Sequence, residues 1–211
     1  MPISKRAYSD TEKQEREQKI LDAAETLLTQ KGFGAINMSE IARTADIAKG
    51  TLYLYFQTKE ELFLTLFQRK FVSLMEKLRH ALSALATPTT KAQVRDTLIA
   101  HTIDERQMIR LMALSNIIFE YNISYEKALE YKLLLGQAGT TVGSVIDEKL
   151  GLQSGQGVQI LYRMYVFIIG MENLANPAPV IQQIYENEKT IEHPEFEDEL
   201  RELLTMVFDA V

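Results

Sequence analysis

The sequence predicts an all-α protein, with an N-terminal three-helix unit followed by a larger C-terminal helical domain. Three observations predict it. Apolar residues recur at helical spacing from end to end, and strand-type alternation is nearly absent. Helix-start signatures recur, at Ser9-Asp10-Thr11-Glu12, Asn37-Met38-Ser39-Glu40 and Thr58-Lys59-Glu60-Glu61. Proline-containing breaks at Thr87-Pro88 and at Asn176-Pro177-Ala178-Pro179 separate the helical runs.

Each element follows from local chemistry. The first helix is predicted from Ser9, with Ile20, Ala24, Leu27 and Leu28 forming one buried stripe. Gly32 provides a left-handed end, with Phe33 packing back. Asn37 caps a short helix holding Ile41, Ala42 and Ala45, and Asp46 stands at a tight turn. A second short helix covers about residues 48–56, and Thr58 opens a long one reaching about Leu82. Beyond the first break, helices are predicted at about 90–102, 104–121, 124–150, 155–175, 179–187 and 194–211. The domain division expected is 1–57 and 58–211, with the helix at 58–82 linking them.

The 211 residues suffice for a sizeable core, and 46% apolar with 25% charged residues excludes wholesale disorder. The absence of cysteine removes disulfides, thiolate metal sites and cysteine nucleophiles. No apolar run is long enough for a membrane span, and MPISKRAYSDTEKQ lacks the apolar core of a secretory signal, so a cytoplasmic location is expected. The net charge of −6 is unevenly spread: residues 1–70 hold 11 basic against 10 acidic side chains, and residues 71–211 hold 12 against 19. Within residues 43–59, Arg43, Lys49 and Lys59 face Asp46 alone, and Lys5 and Arg6 add to this basic edge.

Two short capped helices joined by a tight turn predict a helix-turn-helix, whose second helix enters the major groove of DNA. On Ala48–Phe56, Leu52 and Phe56 share one face, which is the buried one. Gly50 and Leu54 then point outward, flanked by Thr51, Tyr53 and Tyr55. A glycine there lets the helix approach closely, and flanking hydroxyls reach phosphates. Lys49 is placed for guanine O6/N7 and Leu54 for a thymine methyl. Against this stands a plain packing reading, since tyrosines on helices are often half-buried. A helical carrier of apolar ligands without DNA binding is the alternative, but a carrier has no use for that outward face.

Residues 20–67 resemble the DNA-binding domain of the tetracycline-repressor (TetR) family. The resemblance lies in ILDAA, the KGF cap, the IA dipeptide, KGTLYLYF and TKEEL. It stops there, and nothing from residue 83 onward is diagnostic. The resemblance implies a homodimeric, ligand-responsive repressor that leaves a palindromic double-stranded DNA operator when a small molecule binds the C-terminal domain. It places Asn37 and Ser39 at a helix start that touches the DNA, Lys49, Gly50 and Thr51 at the base-reading start of the recognition helix, and Tyr53, Tyr55 and Lys59 on phosphates. Two departures stand out: Asp46 occupies a turn position that is usually glycine, and Ala48 replaces the usual serine or threonine cap.

In the second domain, VQILYRMYVFIIGM at 158–171 is apolar almost all round, and Leu200, Leu203, Leu204, Val207 and Phe208 form a stripe on the last helix. Helices near 155–175 and 194–211 are therefore expected to pair two protomers through a four-helix bundle. Met108, Met112, Phe119, Tyr121, Tyr125, Tyr162, Tyr165 and Phe167 are candidates to line an apolar effector pocket, with Arg163 as a candidate charge for an anionic effector. Gly136, Gly139 and Gly143 thin one helix face for close packing or pocket volume. His101 with Asp104 and Glu105 is the one histidine-carboxylate cluster, better read as a solvated helix end. No catalytic motif, metal site or cofactor motif is legible, so no enzyme is expected.

Overall fold

The computed structural model describes residues 5–188, 190–191 and 193–210, with side chains from residue 11 onward apart from Pro179. Among the described residues ten α-helices run in order: α1 Lys5–Lys31, α2 Met38–Thr44, α3 Lys49–Tyr55, α4 Lys59–Ser83, α5 Lys91–Ile103, α6 Arg106–Leu114, α7 Tyr125–Leu150, α8 Gln156–Ala175, α9 Pro179–Asn187 and α10 Phe196–Asp209. No strand occurs among the described residues.

The N-terminal unit is held by local signals and a shared core. Asn37 Oδ1 accepts from the Glu40 amide at 3.1 Å, and Thr58 Oγ1 accepts from the Glu61 amide at 3.0 Å. Each hydroxyl or amide oxygen thus satisfies an amide that the helix start would leave unpaired. The Glu40 carboxylate takes the Lys31 ammonium, which with Arg43 holds its pKa below the ordinary carboxylate range. Ile20, Ala24, Leu28, Ile41, Leu52 and Phe56 are buried together, closing α1, α2 and α3 onto the start of α4.

The turn between α2 and α3 places Asp46 at φ 54°, the left-handed conformation expected for it. The Ile47 amide bonds the Ala42 carbonyl at 3.0 Å across it. Ala48, in contrast, leaves α3 without a side-chain cap. Gly32 ends α1 at φ 75° and ψ 163°, positive but extended, so it is not the left-handed cap expected. A side chain would be strained at that φ.

Two helix boundaries differ from expectation. α1 begins at Lys5, so Ser9 lies within the helix rather than capping it. The predicted helix at 104–121 divides: α6 ends at Leu114, Ser115–Phe119 form a π-turn, and Glu120–Asn122 a 3-10 turn. The wider turn rotates Phe119 inward, where it is fully buried between Phe33 and Phe63 at centroid distances of 5.3 and 6.4 Å.

In the C-terminal domain α4 packs on α5 and α7, α8 on α6 and α7, and α10 on α5 and α8. The α7–α8 corner is fastened by Asp147, whose carboxylate accepts the amides of Gly155 at 2.8 Å and Gly157 at 2.6 Å. These are orphan donors at a helix N-terminus, where a negative charge is favoured. The stripe expected at an intersubunit interface is largely spent inside the protomer: Leu200, Leu204 and Phe208 are buried against α5 and α8. Among the described residues no helix is long and apolar enough to cross a membrane.

Candidate nucleic-acid interface and effector cavity

One face of the N-terminal unit carries the residues singled out for DNA. Leu52 and Phe56 fix α3 by burial, so the residues between them are forced outward. Lys49 and Gly50 are exposed, Thr51 and Tyr55 half-buried, Tyr53 is 43% exposed and Leu54 is 84% exposed. A Cβ added at Gly50 would meet nothing within 4 Å, so the space over it is open. The Lys49 ammonium hovers 6.0 Å from the Tyr53 ring. Asn37, Ser39 and Arg43 are exposed alongside on α2 and its cap.

Lys59 lies differently. Its ammonium donates to the carbonyls of Phe33 and Ile36, both at 3.0 Å, and lies 4.0 Å from the Phe33 ring centroid. Two of its three donors therefore tie the α1–α2 connection to α4. The side chains of Lys5 and Arg6 fall outside those described.

The second feature is a cavity of about 350 Å³ walled by α4, α5, α6, α7 and α8 and open to solvent beside the exposed Lys132, Gly136 and Tyr162. Met108, Met112, Tyr162 and Tyr165 line it, together with Phe71, Leu74, Leu78 and Met164. Gly136 and Gly139 also line it, and open space lies over both. Gly143 has a separate role, in the tight α7–α8 crossing.

The other candidates are elsewhere. Phe119 belongs to the aromatic cluster with Phe33 and Phe63 and does not line the cavity. Tyr121 and Tyr125 are 82% and 75% exposed, at the α6–α7 connection. Arg163 is exposed on α8 and Phe167 is half-buried there, neither lining the cavity. Sequence reading missed Thr102 and Lys132, which do line it; each is a single polar residue on an ordinary helix and sends no signal.

Two further polar features flank these sites. Glu172 is buried on α8, 3.6 Å from the Arg110 guanidinium, and burial raises its pKa despite Arg110 and Arg106. Glu105 pairs with Lys77 while His101 is exposed, so the histidine-carboxylate cluster does not converge. Among the described residues no group of three or more His, Asp or Glu could hold a metal ion.

Residues 20–66 match the family described as bacterial regulatory proteins, tetR family, and residues 68–209 match the tetracyclin repressor-like C-terminal domain. The chain belongs to the tetracycline-repressor family. Membership thus extends through the second domain, where no diagnostic motif was legible. The fatty acid metabolism regulator protein of Bacillus subtilis is 32% identical over 80 residues, 38% of this chain and 41% of that protein. The HTH-type transcriptional repressor KstR of Mycobacterium tuberculosis is 38% identical over 74 residues, 35% of this chain and 34% of that protein. This family member thus aligns with about two fifths or less of each of these two relatives. In structure it is similar to a TetR-family regulator from Streptomyces coelicolor, at TM-score 0.57 and 19% identity, covering 93% of this chain and 99% of that one. It is also similar to Thermus thermophilus FadR, solved in complex with lauroyl-CoA, at TM-score 0.57 and 17% identity, covering 91% and 92%.

Proposed function

We propose that this TetR-family member is a ligand-responsive, sequence-specific repressor that binds a palindromic double-stranded DNA operator as a homodimer and leaves it when an apolar or amphipathic effector fills the cavity. Residues 1–57 act as the DNA-reading unit and 58–211 as the effector and dimerisation unit. The observation that carries the reading is the outward face of α3, where Leu54 is 84% exposed and packs on nothing. An apolar side chain held in water on a seven-residue helix finds its use against another surface.

In this reading Lys49, Gly50, Thr51 and Leu54 meet base edges, and Asn37, Ser39, Tyr53, Tyr55 and the third Lys59 donor meet phosphates. Lys49→Ala combined with Tyr53→Phe is expected to weaken binding to the upstream promoter fragment about 10- to 100-fold at fixed salt. Dimer mass should be unchanged. Undiminished affinity in a titration at fixed salt would remove α3 from DNA recognition.

Dimerisation is assigned to α8, with α10 contributing its outer edge. Tyr162, Val166 and Leu174 are exposed along one face of α8, and Met206 on α10. Because the inner stripe of α10 is core, deleting that helix would unfold the domain rather than split a dimer. Val166→Glu is the cleaner probe. It is expected to give a folded monomer by sedimentation, with operator affinity lost. A dimer of unchanged stability would exclude this face.

The route from cavity to DNA runs through α6. Met108 and Met112 wall the cavity, and on the same helix Gln107 bonds Thr29 of α1. Beyond it, Phe119 presses on Phe33 and Phe63. An effector that displaces α6 alters the separation of the two recognition helices, which an operator needs at about 34–36 Å or a multiple. A coupling energy of about 1–3 kcal/mol is typical of such linkage. The lauroyl-CoA bound to the Thermus neighbour carries an acyl chain of the kind this cavity would take.

A further inference from the structure

We infer that the effector is an uncharged molecule, apolar but for one oxygen that hydrogen-bonds Thr102; this deepens the effector reading above and rests on it. The first observation is a hydroxyl without a partner. Six threonines in the described helices, Thr97 and Thr141 among them, bond back to the carbonyl four residues earlier, Thr97 to Gln93 at 2.8 Å and Thr141 to Gln137 at 2.9 Å. Thr102, on the same helix as Thr97, is fully buried, lines the cavity, and its Oγ1 has no hydrogen-bond partner. A buried hydroxyl left unmade is costly, and an apolar cavity offers a water too few partners to hold it there. A ligand oxygen supplies the missing bond once the wall yields to admit it, since Oγ1 has almost no accessible surface as the wall stands.

The second observation concerns charge. Lys132 is the one ionisable amine or acid among the residues lining the cavity, tyrosine phenols aside. Its ammonium is already bonded to Glu120 at 2.8 Å and lies 5.0 Å from the Tyr131 ring, with the side chain about half exposed. An anionic headgroup would have to share the Lys132 ammonium with the Glu120 carboxylate, whose like charge opposes it, and Arg163 faces outside. A cationic headgroup would find no carboxylate on the wall. A cation would be stranded in an apolar space, where burial of unpaired charge is strongly unfavourable, and an anion would meet the Glu120 carboxylate at the one basic group. The Tyr165 hydroxyl is engaged by Asn116 at 2.8 Å. Tyr162, the other hydroxyl on the wall, is 66% exposed to water, so Thr102 is the enclosed polar anchor, in a cavity of about 350 Å³ that falls within the size of small-ligand pockets.

Calorimetric titration of the full chain with decanol, decanoate and decylammonium tests this on one skeleton. Decanol is expected to bind at least about tenfold tighter than either ion. Thr102→Val, which keeps the shape and removes the hydroxyl, should weaken decanol about tenfold, and Thr102→Ser should restore it. Glu120→Gln frees Lys132 and should strengthen decanoate about tenfold while leaving decanol unchanged. Decanoate or decylammonium binding the unaltered protein as tightly as decanol would overturn the uncharged ligand but leave the cavity as the effector site. Undiminished decanol affinity in Thr102→Val would overturn the anchor. Failure of all three to bind would remove the cavity from effector recognition altogether.

Discussion

Gly157→Ala is expected to lower stability by about 3–5 kcal/mol, an effect well beyond that of an ordinary surface substitution. A Cβ built at Gly157 falls 2.1 Å from the Gly143 carbonyl oxygen and 2.9 Å from its carbon. The same crossing is closed from the other side, since a Cβ at Gly143 would lie 2.6 Å from Val158 Cγ2 and 2.7 Å from its backbone nitrogen. Backbone cannot rotate away as a side-chain tip can, so α7 and α8 must separate. Separation would pull the Gly157 amide from Asp147 and loosen Ile146 and Ile160 in the core. The thermal midpoint should fall by about 10 °C. Gly139→Ala is the control: its Cβ meets nothing, and alanine is favoured over glycine in a helix by about 0.5–1 kcal/mol. Equal midpoints for the two variants would mean that the crossing yields without cost.

Phe119→Ala is expected to remove about 3–5 kcal/mol and to weaken operator binding at temperatures where the chain is still folded. The ring is wholly enclosed, with Phe33, just beyond α1, tilted against it and Phe63 of α4 stacked on it. Phe33 and Phe63 themselves meet edge-on at 5.2 Å, so the three rings join the N-terminal unit to the π-turn that ends α6. Deleting the Phe119 ring leaves a void between the N-terminal unit and the π-turn, and its aromatic contacts beyond simple burial are lost as well. Phe119→Leu separates the two effects. It retains most of the volume, should cost about 1.5 kcal/mol or less, and should still reduce the coupling between cavity and α3. Denaturant unfolding gives the stability and promoter-fragment titration the affinity. A Phe119→Leu protein with full operator affinity and full effector response would reduce this cluster to plain core.

How much could be read beforehand depended on the range of the interaction involved. Asn37 and Thr58 were legible as caps because the bond each makes spans three residues. Asp46 was legible because few side chains tolerate its positive φ. The outward residues of α3 followed from helical period alone, once Leu52 and Phe56 were placed inside. The start of α1 was misplaced because Ser9-Asp10-Thr11-Glu12 contains no proline or glycine to stop a helix, so the helix runs through it despite its weak propensity. The division of the helix at 104–121 was invisible because Phe119 turns inward for partners 56 and 86 residues away, Phe63 and Phe33.

The sequence by itself determined the all-α class, the order of the helices and which face of α3 meets solvent, since these rest on period, caps and backbone preference within one or two turns. The tertiary structure alone decided how equivalent residues divide their roles. Three glycines on one helix are alike in sequence, yet Gly136 and Gly139 border the cavity while Gly143 abuts Val158. The α10 stripe is apolar whether it meets its own chain or another, and here it fills the space left by α5 and α8. Thr102 became informative only when its hydroxyl was found enclosed without a partner. The physical reason is common to all three: apolar burial and hydrogen-bond satisfaction are set by what lies across the gap, and a linear pattern records only one side of it.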